Sequence, residues 1–391
     1  MKYIIKIVTS KDDERDFLNC PIHIYKDDKT WVRPLDNDIT SVFDIKKNKA
    51  LKKSEYKRWI VKDQNNKVCG RIAAFYFVSE LRKRDGIKTG GVGFFESENL
   101  PDVANLLFNT SIKWLQDSGI QAVDGPINIG ERDRWWGLLT EGFTSPNYCS
   151  NYNPLYYKDF FENYGFQNYF NQYSYERLVE SNLNPLIIDK AKRIEESGDY
   201  HCENLSLKNK KKYAADFAEI YNQGWAKFPG IKKMSAQQVE LIIKSISPIL
   251  DPKLTYFAYH KNQPAGFFIM IPDINNIVKR LNGKMNLLGK LRFFLMMKYF
   301  LKPTKAVGLI FGIVPKHQGK GLHGYLVNEF AKNVFNNKFQ YKTIELNWIG
   351  DFNPSMMKVC NEIGANIIKT HVTYRFLIDK NIVFSRAKKL S

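Results

Sequence analysis

The alternation of apolar and polar positions divides the chain into two halves with the same order of elements. Each half contains two apolar runs around a turn, at residues 58–80 and 254–272, which predict β-hairpins. Strand-like and helical spacings then alternate in the same order in both halves. They predict strand 92–95, helix 101–118 and strand 120–123, and later strand 307–314, helix 322–335 and strand 343–348.

A second set of matched signals follows these elements. In each half an Asn-Pro pair precedes an apolar helix that ends in glycine, and a tyrosine in a predicted strand lies ten residues further on. The matched residues are Asn153-Pro154, Gly165 and Tyr175 in the first half, and Asn353-Pro354, Gly364 and Tyr374 in the second. Self-similarity of this kind indicates a duplicated unit.

We therefore predict an α/β (α+β) fold made of two tandem mixed-sheet domains with flanking helices. The predicted divisions are an N-terminal domain at 1–180, a helical connector and start of the second domain at 181–250, and a C-terminal domain at 251–391. Outside the repeat, Tyr3–Val8 and Ile22–Tyr25 have the composition of short strands.

Composition restricts the class of protein. The chain has 391 residues and a formal net charge of +19, which favours phosphates, nucleic acid or an anionic membrane face as partners. Its five cysteines are scattered, without a Cys-x-x-Cys pair, so neither a disulfide framework nor a zinc site is indicated, and we predict no metal. The first ten residues resemble a strand rather than a signal peptide, so we expect a cytoplasmic protein.

A glycine-rich stretch, Val314 to Gly324, lies between the predicted strand 307–314 and the helix after it. Glycines allow the backbone to approach an anion closely, and the first turn of a helix offers free N–H groups to a phosphate. The P-loop string is absent from the chain. The dinucleotide fingerprint fits Gly319 to Gly324 by letter, with Glu345 about where its acidic residue would be, and remains an alternative.

The stretch resembles the acyl-CoA-binding motif of the GNAT acyltransferases, Gln/Arg-x-x-Gly-x-Gly/Ala. Gln318 and Gly321 match it, whereas His323 replaces the last Gly or Ala and Gly324 follows. The resemblance implies that the strand end at Gly312, Ile313 and Val314 holds the acyl carbonyl and pantetheine. It also implies that the loop holds the pyrophosphate through Gln318, Gly319, Lys320, Gly321, Leu322, His323 and Gly324, with Lys316 nearby and Asn353 beside the cofactor.

The same resemblance raises the question of proton transfer. The family often has a tyrosine seven residues after an asparagine such as Asn353, but this chain has Cys360 there, which we expect to be a core residue. Tyr374 is then the candidate acid. Glu345 and His323 are the main candidate bases, with Asp351 and His317 as further candidates. A structural or solvated role remains an alternative for each.

The first half lacks the motif, and its corresponding strand runs into Glu96-Ser97-Glu98, whose carboxylates would repel a pyrophosphate. We expect this half to supply scaffold and acceptor-site walls. Arg132 to Trp136, with two arginines and two tryptophans, could hold an anionic or extended acceptor or form a surface turn. The strings Gly70–Ala73, Asp124–Asn128 and Leu138–Phe143 also resemble a bacterial GNAT-like family with members that acylate long-chain amines, including ceramide-type synthesis.

Residues 286–302 combine many apolar side chains with four cations and are too short and too charged to span a bilayer. They could lie on a membrane surface, cover an acyl chain or form an ordinary packed helix. The prediction for the whole chain is a GNAT-type N-acyltransferase that uses acyl-CoA and an amine, with a lipid-like acceptor and peripheral contact at the inner membrane face as its more specific form. The alternatives are a tRNA-dependent aminoacyltransferase, which the glycine-rich loop disfavours, and a non-catalytic acyl-CoA or lipid-binding protein.

Overall fold

The described strands of both halves join into one mixed sheet. This is seen in a computed structural model, which describes residues 2–78, 83–84, 86–225, 232–336 and 339–389. The strands of the described part are β1 (Tyr3–Ile7), β2 (Ser54–Asp63), β3 (Val68–Phe77), β4 (Lys83–Arg84), β5 (Ile87–Ser97), β6 (Ala122–Gly125), β7 (Leu138–Glu141), β8 (Gln167–Leu178), β9 (Tyr200–Asn204), β10 (Thr255–His260), β11 (Gln263–Pro272), β12 (Lys305–Ile313), β13 (Thr343–Gly350) and β14 (Asn366–Leu377).

Helices pack on both faces of this sheet. Those described are α1 (Lys11–Ile24), α2 (Asp36–Val42), α3 (Pro101–Asp117), α4 (Tyr157–Tyr164), α5 (Pro185–Glu196), α6 (Lys210–Gly224), α7 (Ala236–Ile246), α8 (Asn275–Leu281), α9 (Leu287–Leu295), α10 (Leu322–Asn336) and α11 (Pro354–Glu362). In the second half α5, α10 and α11 share one core with the sheet, whereas α6 packs against the opposite face.

The strand order is nearly symmetric about the centre: β1-β2-β3-β5-β6-β14-β8-β13-β12-β11-β10-β9. Each half has antiparallel outer strands and one parallel pair, β5 with β6 and β12 with β13. A helix connects the two strands of each parallel pair, α3 in the first half and α10 in the second, as parallel neighbours require. The predicted fold class and the predicted repeat of elements are confirmed.

Each half contributes its last strand to the centre of the sheet. β14 lies between β6 and β8, and β8 in turn pairs with β13. At this join the buried Arg375 guanidinium donates to both oxygens of the buried Asp124 carboxylate, at 2.7 and 2.9 Å. The boundaries near 180 and 250 remain predictions, because strands on either side of them pair across the halves.

One local prediction from the sequence was wrong, and one region predicted to be mostly helical contains a short strand besides its helices. Ile22–Tyr25 is not a strand, because it forms the end and C-cap of α1. Ser10 and Asp13 form a capping box that starts this helix, and this local signal outweighs the strand-like composition of its end. In the region predicted to be mostly helical, Tyr200–Asn204 forms β9 at the edge of the sheet.

Candidate functional site

The two parallel strands of the second half separate partway along their length. The pairing of β12 with β13 ends at Gly308, which lies opposite Leu346. Beyond that point β12 stays paired with β11 through Ile313, while β13 follows β8 through Gly350. An opening therefore lies between the two strands on the carboxyl side of Gly308.

Backbone groups of β12 face this opening. The Val314 N–H donates to the Ala265 carbonyl of β11 at 3.0 Å. Because successive residues of a strand direct their N–H and C=O groups to opposite sides, those of Phe311 and Ile313 face the opening. The Gln318 side chain donates to the Ile313 carbonyl at 2.9 Å. Gln318 is therefore fixed against the strand edge, and the N–H groups of Phe311 and Ile313 are directed at whatever enters.

The strand leads directly into the glycine-rich loop. A short 3-10 turn, Pro315–His317, is followed by Gly319 with φ +73° and Gly321 with φ +91°. Glycine adopts positive φ without a side-chain clash, so both positions suit it. The Tyr325 N–H donates to the Gly321 carbonyl at 3.2 Å, so Gly321 is the residue that caps the start of α10.

The loop has the features of an anion-binding helix start. Within the described part of the chain, the backbone N–H groups of residues 319–324 make no close, well-aligned hydrogen bond to a protein acceptor. The positive end of the α10 dipole lies at the same place. Lys316 and Lys320 are exposed beside it. Free amides, a helix dipole and two cations together suit a phosphate or diphosphate.

Gly324 has a packing role that the sequence did not indicate. A Cβ on Gly324 would lie 3.0 Å from the Lys190 Cβ and 3.1 Å from the Ile187 carbonyl oxygen, so α5 occupies the space that the missing side chain leaves. Gly321 is similarly close to Lys190, at 3.1 Å. The part of Gly324 that remains available to an anion is its backbone N–H.

His323, a predicted base, belongs to an ion cluster that joins three helices. Its Nε2 lies 3.0 Å from Glu362 Oε2 and 3.3 Å from Lys190 Nζ, and Lys190 contacts the same Glu362 oxygen at 2.6 Å. Burial lowers the pKa of His323, and Lys190 acts in the same direction while Glu362 opposes it. The neutral His323 imidazole links α5, α10 and α11 and so positions the loop. Its predicted catalytic role stays a prediction.

Glu345, the other main candidate base, is 1% exposed, and both of its carboxylate oxygens accept hydrogen bonds. Lys369 Nζ and Asn147 Nδ2 donate to one carboxylate oxygen at 2.8 and 2.7 Å, and Lys305 Nζ donates to the other at 2.9 Å. Burial would raise the pKa of Glu345, but the two lysines outweigh it and the pKa is lowered. The carboxylate ties β13 to β12, β14 and the loop at Asn147, which suits a structural role better than proton transfer.

Tyr374, the predicted acid, lies on β14 beside β6 in the core of the first half. It is 2% exposed, and its hydroxyl donates to Glu162 Oε1 at 2.8 Å. Burial raises its pKa, and the hydrogen bond to Glu162 adds to this. The structure thus places Glu345, His323 and Tyr374 in three separate clusters and does not assemble them into one catalytic group.

The remaining predicted residues of the second half have structural partners as well. The Asn353 side chain caps α11 by accepting a hydrogen bond from the Met356 N–H at 3.2 Å. Cys360 is fully buried, which confirms its predicted place in the core, and burial raises its pKa to about 12. Asp351 contacts Arg386 at 2.5 Å, and the buried His317 ring lies 2.7 Å from the Tyr200 hydroxyl.

A small cleft lies at the centre of the sheet, where the two halves meet. Its lining includes Asn347 and Trp348 of β13, and Asn347 is the first residue beyond the last β12–β13 pair. The Trp348 Nε1–H donates to the Arg132 carbonyl at 3.1 Å, which holds the Arg132–Trp136 segment of the first half over the cleft. The structure therefore brings this predicted acceptor segment next to the strand opening.

Sequence reasoning missed the rest of this cleft. Gln172 and Ser174 of β8 and His371 of β14 also line it. They reach the site only because the halves place their last strands side by side, and no local pattern encodes that pairing. The single signal in the sequence was the matched position of the two terminal strands in the repeat.

The fold defines the class: the chain has the tandem GNAT architecture. It is similar to a tandem GNAT protein from the clavulanic acid biosynthesis pathway, with a TM-score of 0.52, 10% identity, and coverage of 96% of this chain and 98% of that one. It is also similar to the glucosamine N-acetyltransferase region of a fungal multi-domain β-N-acetylglucosaminidase, with a TM-score of 0.53 and 9% identity. That match covers 96% of this chain but 38% of the longer fungal chain.

Two curated proteins are similar over nearly their full length. "Bacterial ceramide synthase" of Caulobacter vibrioides is 23% identical over 377 residues, covering 95% of this chain and 96% of that protein. "Protein YghO" of Escherichia coli is 23% identical over 381 residues, covering 95% and 94%. No family model matches the chain.

Proposed function

We propose that the protein is an N-acyltransferase that moves an acyl group from an acyl-CoA thioester to an amine. One observation carries this proposal: beyond the point where β12 and β13 part, β12 leads through a glycine-containing turn into the first turn of α10. A thioester with a pantetheine arm and a diphosphate needs these two environments in this order. The similarity to a protein named bacterial ceramide synthase supports the reaction type and a lipid-like amine as acceptor.

The residues present have distinct tasks in this reaction. The N–H groups of Phe311 and Ile313 hold the pantetheine arm along β12, and the 319–324 amides hold the diphosphate with help from Lys316 and Lys320. The amine nitrogen attacks the thioester carbon, a C–N bond forms, and the C–S bond breaks. CoA leaves as a thiolate, which takes up the proton that the amine loses. A thiolate is a good enough leaving group not to require the tyrosine that Cys360 replaces.

A direct test measures free thiol release and amide product with acyl-CoA donors of several lengths and a panel of amines. Lys320→Glu places a repulsive charge at the diphosphate and should raise KM for the donor at least ten-fold. Lys192→Glu, on the exposed side of α5, is the matched control and should behave like the native protein. Tight tRNA binding without CoA binding would favour the aminoacyltransferase alternative, and CoA binding without turnover would favour a binding protein.

We further propose that the protein contacts an anionic bilayer through residues 286–302. Apolar side chains of this segment are exposed, with Leu287 at 84%, Leu288 at 69% and Phe300 at 75%. Residues 274–302 contain seven cations and no acidic residue, so the charge complements anionic headgroups. No helix in the described ranges combines the length and apolar character that a membrane crossing needs.

Vesicle sedimentation tests this contact. The native protein should bind phosphatidylglycerol vesicles more strongly than phosphatidylcholine vesicles, and Leu287→Ser with Phe300→Ser should weaken binding at least ten-fold. Leu241→Ser, at a leucine of α7 that is 66% exposed, is the control and should leave binding unchanged. Equal binding by native protein and the double variant would overturn the proposed membrane contact.

A further inference from the structure

Two side chains of the central cleft, His371 and Gln172, have polar atoms that the protein itself leaves unused. The two residues are direct partners in the antiparallel pairing of β14 with β8, so their side chains lie next to each other on one face of the sheet. Both are buried, and both line the cleft beside the point where β13 leaves β12.

The Asn151 carbonyl fixes the tautomer of the His371 ring. It lies 3.0 Å from Nε2, and because a carbonyl oxygen can only accept, Nε2 carries the hydrogen. Burial lowers the pKa of His371 to about 4, with Lys369 acting in the same direction, so the ring is neutral at neutral pH. Nδ1 therefore keeps its lone pair, and it has no hydrogen-bond partner within the described part of the chain.

The Thr373 hydroxyl fixes the side-chain amide of Gln172 in a similar way. It donates to Gln172 Oε1 at 2.8 Å, which leaves the two hydrogens of Nε2 to be donated elsewhere. This nitrogen is buried and has no partner among the described residues. A buried donor without a partner is unfavourable, so an oxygen atom of a ligand is bound more strongly at this position.

The surrounding backbone holds both side chains in place. Gly137 has φ +82°, and a Cβ there would lie 2.5 Å from Gln172 Oε1 and 2.9 Å from the His371 Cβ. Asn151 Nδ2 donates to the Gly137 carbonyl at 2.6 Å, so the residue that bonds to His371 also fixes this glycine. The cleft therefore presents one free acceptor, Nδ1, beside one free donor, Nε2 of Gln172.

The charged groups around His371 restrict which residue could remove a proton in the cleft. Lys369 Nζ donates to Glu345 at 2.8 Å, so these two groups neutralise each other. Asp133 lines the cleft from the first half and is exposed, which makes it the rival proton acceptor. The charged residues on the elements around His371 are Lys369 of β14, Glu345 of β13, Glu141 of β7, and Arg132 and Asp133 of the segment over the cleft.

We propose that His371 and Gln172 contact the reacting atoms: His371 Nδ1 accepts a hydrogen bond from the N–H of the attacking amine, and Gln172 Nε2 donates one to the thioester carbonyl oxygen. This inference rests on the proposed acyl transfer. As the C–N bond forms, the carbonyl electron pair moves to the oxygen, and the Gln172 N–H stabilises that negative charge. The C–S bond then breaks with its electron pair, the carbonyl reforms, and the thiolate takes up the amine proton.

The pair matches the two groups that meet in this step, because an amine N–H donates and a thioester oxygen accepts. His371 orients the lone pair of a neutral amine toward the carbonyl carbon. It does not keep the amine proton, because the buried ring is protonated only near pH 4. The acidic limb of the pH–rate profile should therefore follow the pKa of the amine itself.

Two substitutions of His371 separate contact with the amine from a structural role. In His371→Gln the new amide nitrogen reaches the position of Nε2, so the bond to Asn151 is kept and the acceptor in the cleft is lost. His371→Asn does the reverse, because its side-chain oxygen lies where Nδ1 was. His371→Gln should lower kcat/KM for the amine by about a hundred-fold. His371→Asn should recover most of this loss despite a lower melting temperature.

The same substitutions at the partly exposed His201 are the matched controls and should leave kcat/KM and melting temperature unchanged. Activity that follows the melting temperature, with His371→Asn more damaged than His371→Gln, would make His371 a structural residue and overturn its contact with the amine.

Gln172→Met tests the donor separately. It keeps the length of the side chain but removes its N–H groups, and it should lower kcat by about a hundred-fold with little change in KM for the donor. Thr255→Val is the control, because Thr255 is also 1% exposed, its hydroxyl also lacks a partner, and it lies outside the cleft lining. Native kcat in a folded Gln172→Met protein would overturn the role of this donor.

Profiles of kcat/KM against pH, measured with amines of different basicity, test the use of a neutral amine. The acidic limb should move with the pKa of the amine. A limb that stays at one pH for all amines would overturn this part of the proposal, and its loss in Asp133→Asn would identify Asp133 as the base.

NMR of protein labelled with ¹⁵N in its histidines separates failure of this inference from failure of the proposed function. Addition of hexylamine to protein saturated with CoA should shift the Nδ1 signal that is missing in His371→Gln. Transfer without this shift, and with native rates in His371→Gln and Gln172→Met, would overturn the pair and leave the transferase. A shift without transfer to any amine would support the amine contact and overturn the transferase, and neither shift nor transfer would overturn both.

Discussion

The two halves share one architecture but differ at the point where their parallel strands part. In the second half β12 and β13 no longer pair beyond Gly308, and Gly319 and Gly321 lead into the first turn of α10. In the first half Ile127 crosses the corresponding gap, and the buried Glu96 lies near the end of β5. A duplicated strand-helix-strand unit can therefore keep its fold while a few residues decide whether it can hold an anion.

The same comparison extends to the chemistry of the space that remains. The second half presents amides and cations at its strand end, whereas in the first half the buried Glu96 accepts hydrogen bonds from the Tyr25 and Tyr157 hydroxyls. Between them, β8 and β14 form the floor of a cleft that neither half could build alone.

The largest expected effect concerns the buried acid of the second half. Glu345→Gln leaves Lys369 and Lys305 without their shared counter-charge and should cost about 3–5 kcal/mol in the free energy of unfolding, measured with urea. The folded variant should keep the limbs of its pH–rate profile. Unchanged stability with loss of the acidic limb, where a base becomes protonated, would instead make Glu345 the general base.

The junction of β8 and β14, where the two halves meet, should lose stability at acid pH. Burial lowers the pKa of His371 to about 4, and its Nε2–H donates to the Asn151 carbonyl at 3.0 Å. The unfolded chain takes up this proton near pH 6.5 but the folded chain only near pH 4, so stability should fall by about 3 kcal/mol as pH drops across this window.

His371→Gln should flatten that dependence, and His201→Gln, at a partly exposed histidine, should leave it intact. Unfolding free energies measured at several pH values between 7 and 4 provide the check. A native slope that survives in His371→Gln would show that other groups cause the acid sensitivity.

The loop itself is tested by a pair of glycines with positive φ. Gly321→Ala strains the start of α10 and crowds Lys190, and we expect affinity for the donor to fall on the order of a hundred-fold. Gly364→Ala strains a helix end with open space around it and should cost only about 1 kcal/mol of stability. Calorimetric titration with CoA and thermal melting separate the two effects; equal losses of affinity would remove the loop from the site.

The smallest expected effect comes from a change in the first half, at an acidic residue that follows β5. Glu98→Gln removes a partly exposed acid after β5 and breaks its contacts with Lys67 and His23, which should cost less than about 1 kcal/mol. It should create no second donor site, because Ile127 still closes the strand gap. Appearance of a second CoA site in this variant would show that charge alone distinguishes the halves.

Local patterns predicted the parts of this fold that local physics determines. The hairpins, the strand-loop-helix at Gly321 and the repeat of elements follow from periodicity and glycine placement, and the structure contains them. The pairing of β14 with β8 depends on contacts between residues two hundred positions apart, which no window of sequence reports. For the same reason the sequence does not reveal the cleft residues Gln172 and His371, nor the two lysines that bind the Glu345 carboxylate.

The most direct test of the account is calorimetric titration of the native chain with a non-transferable thioether analogue of a long-chain acyl-CoA. The account predicts one site per chain, weakened by salt because the diphosphate is held partly by charge, and lost in Gly321→Ala. Two sites per chain, or one site that Gly321→Ala leaves intact, would contradict the assignment of the donor to the second half.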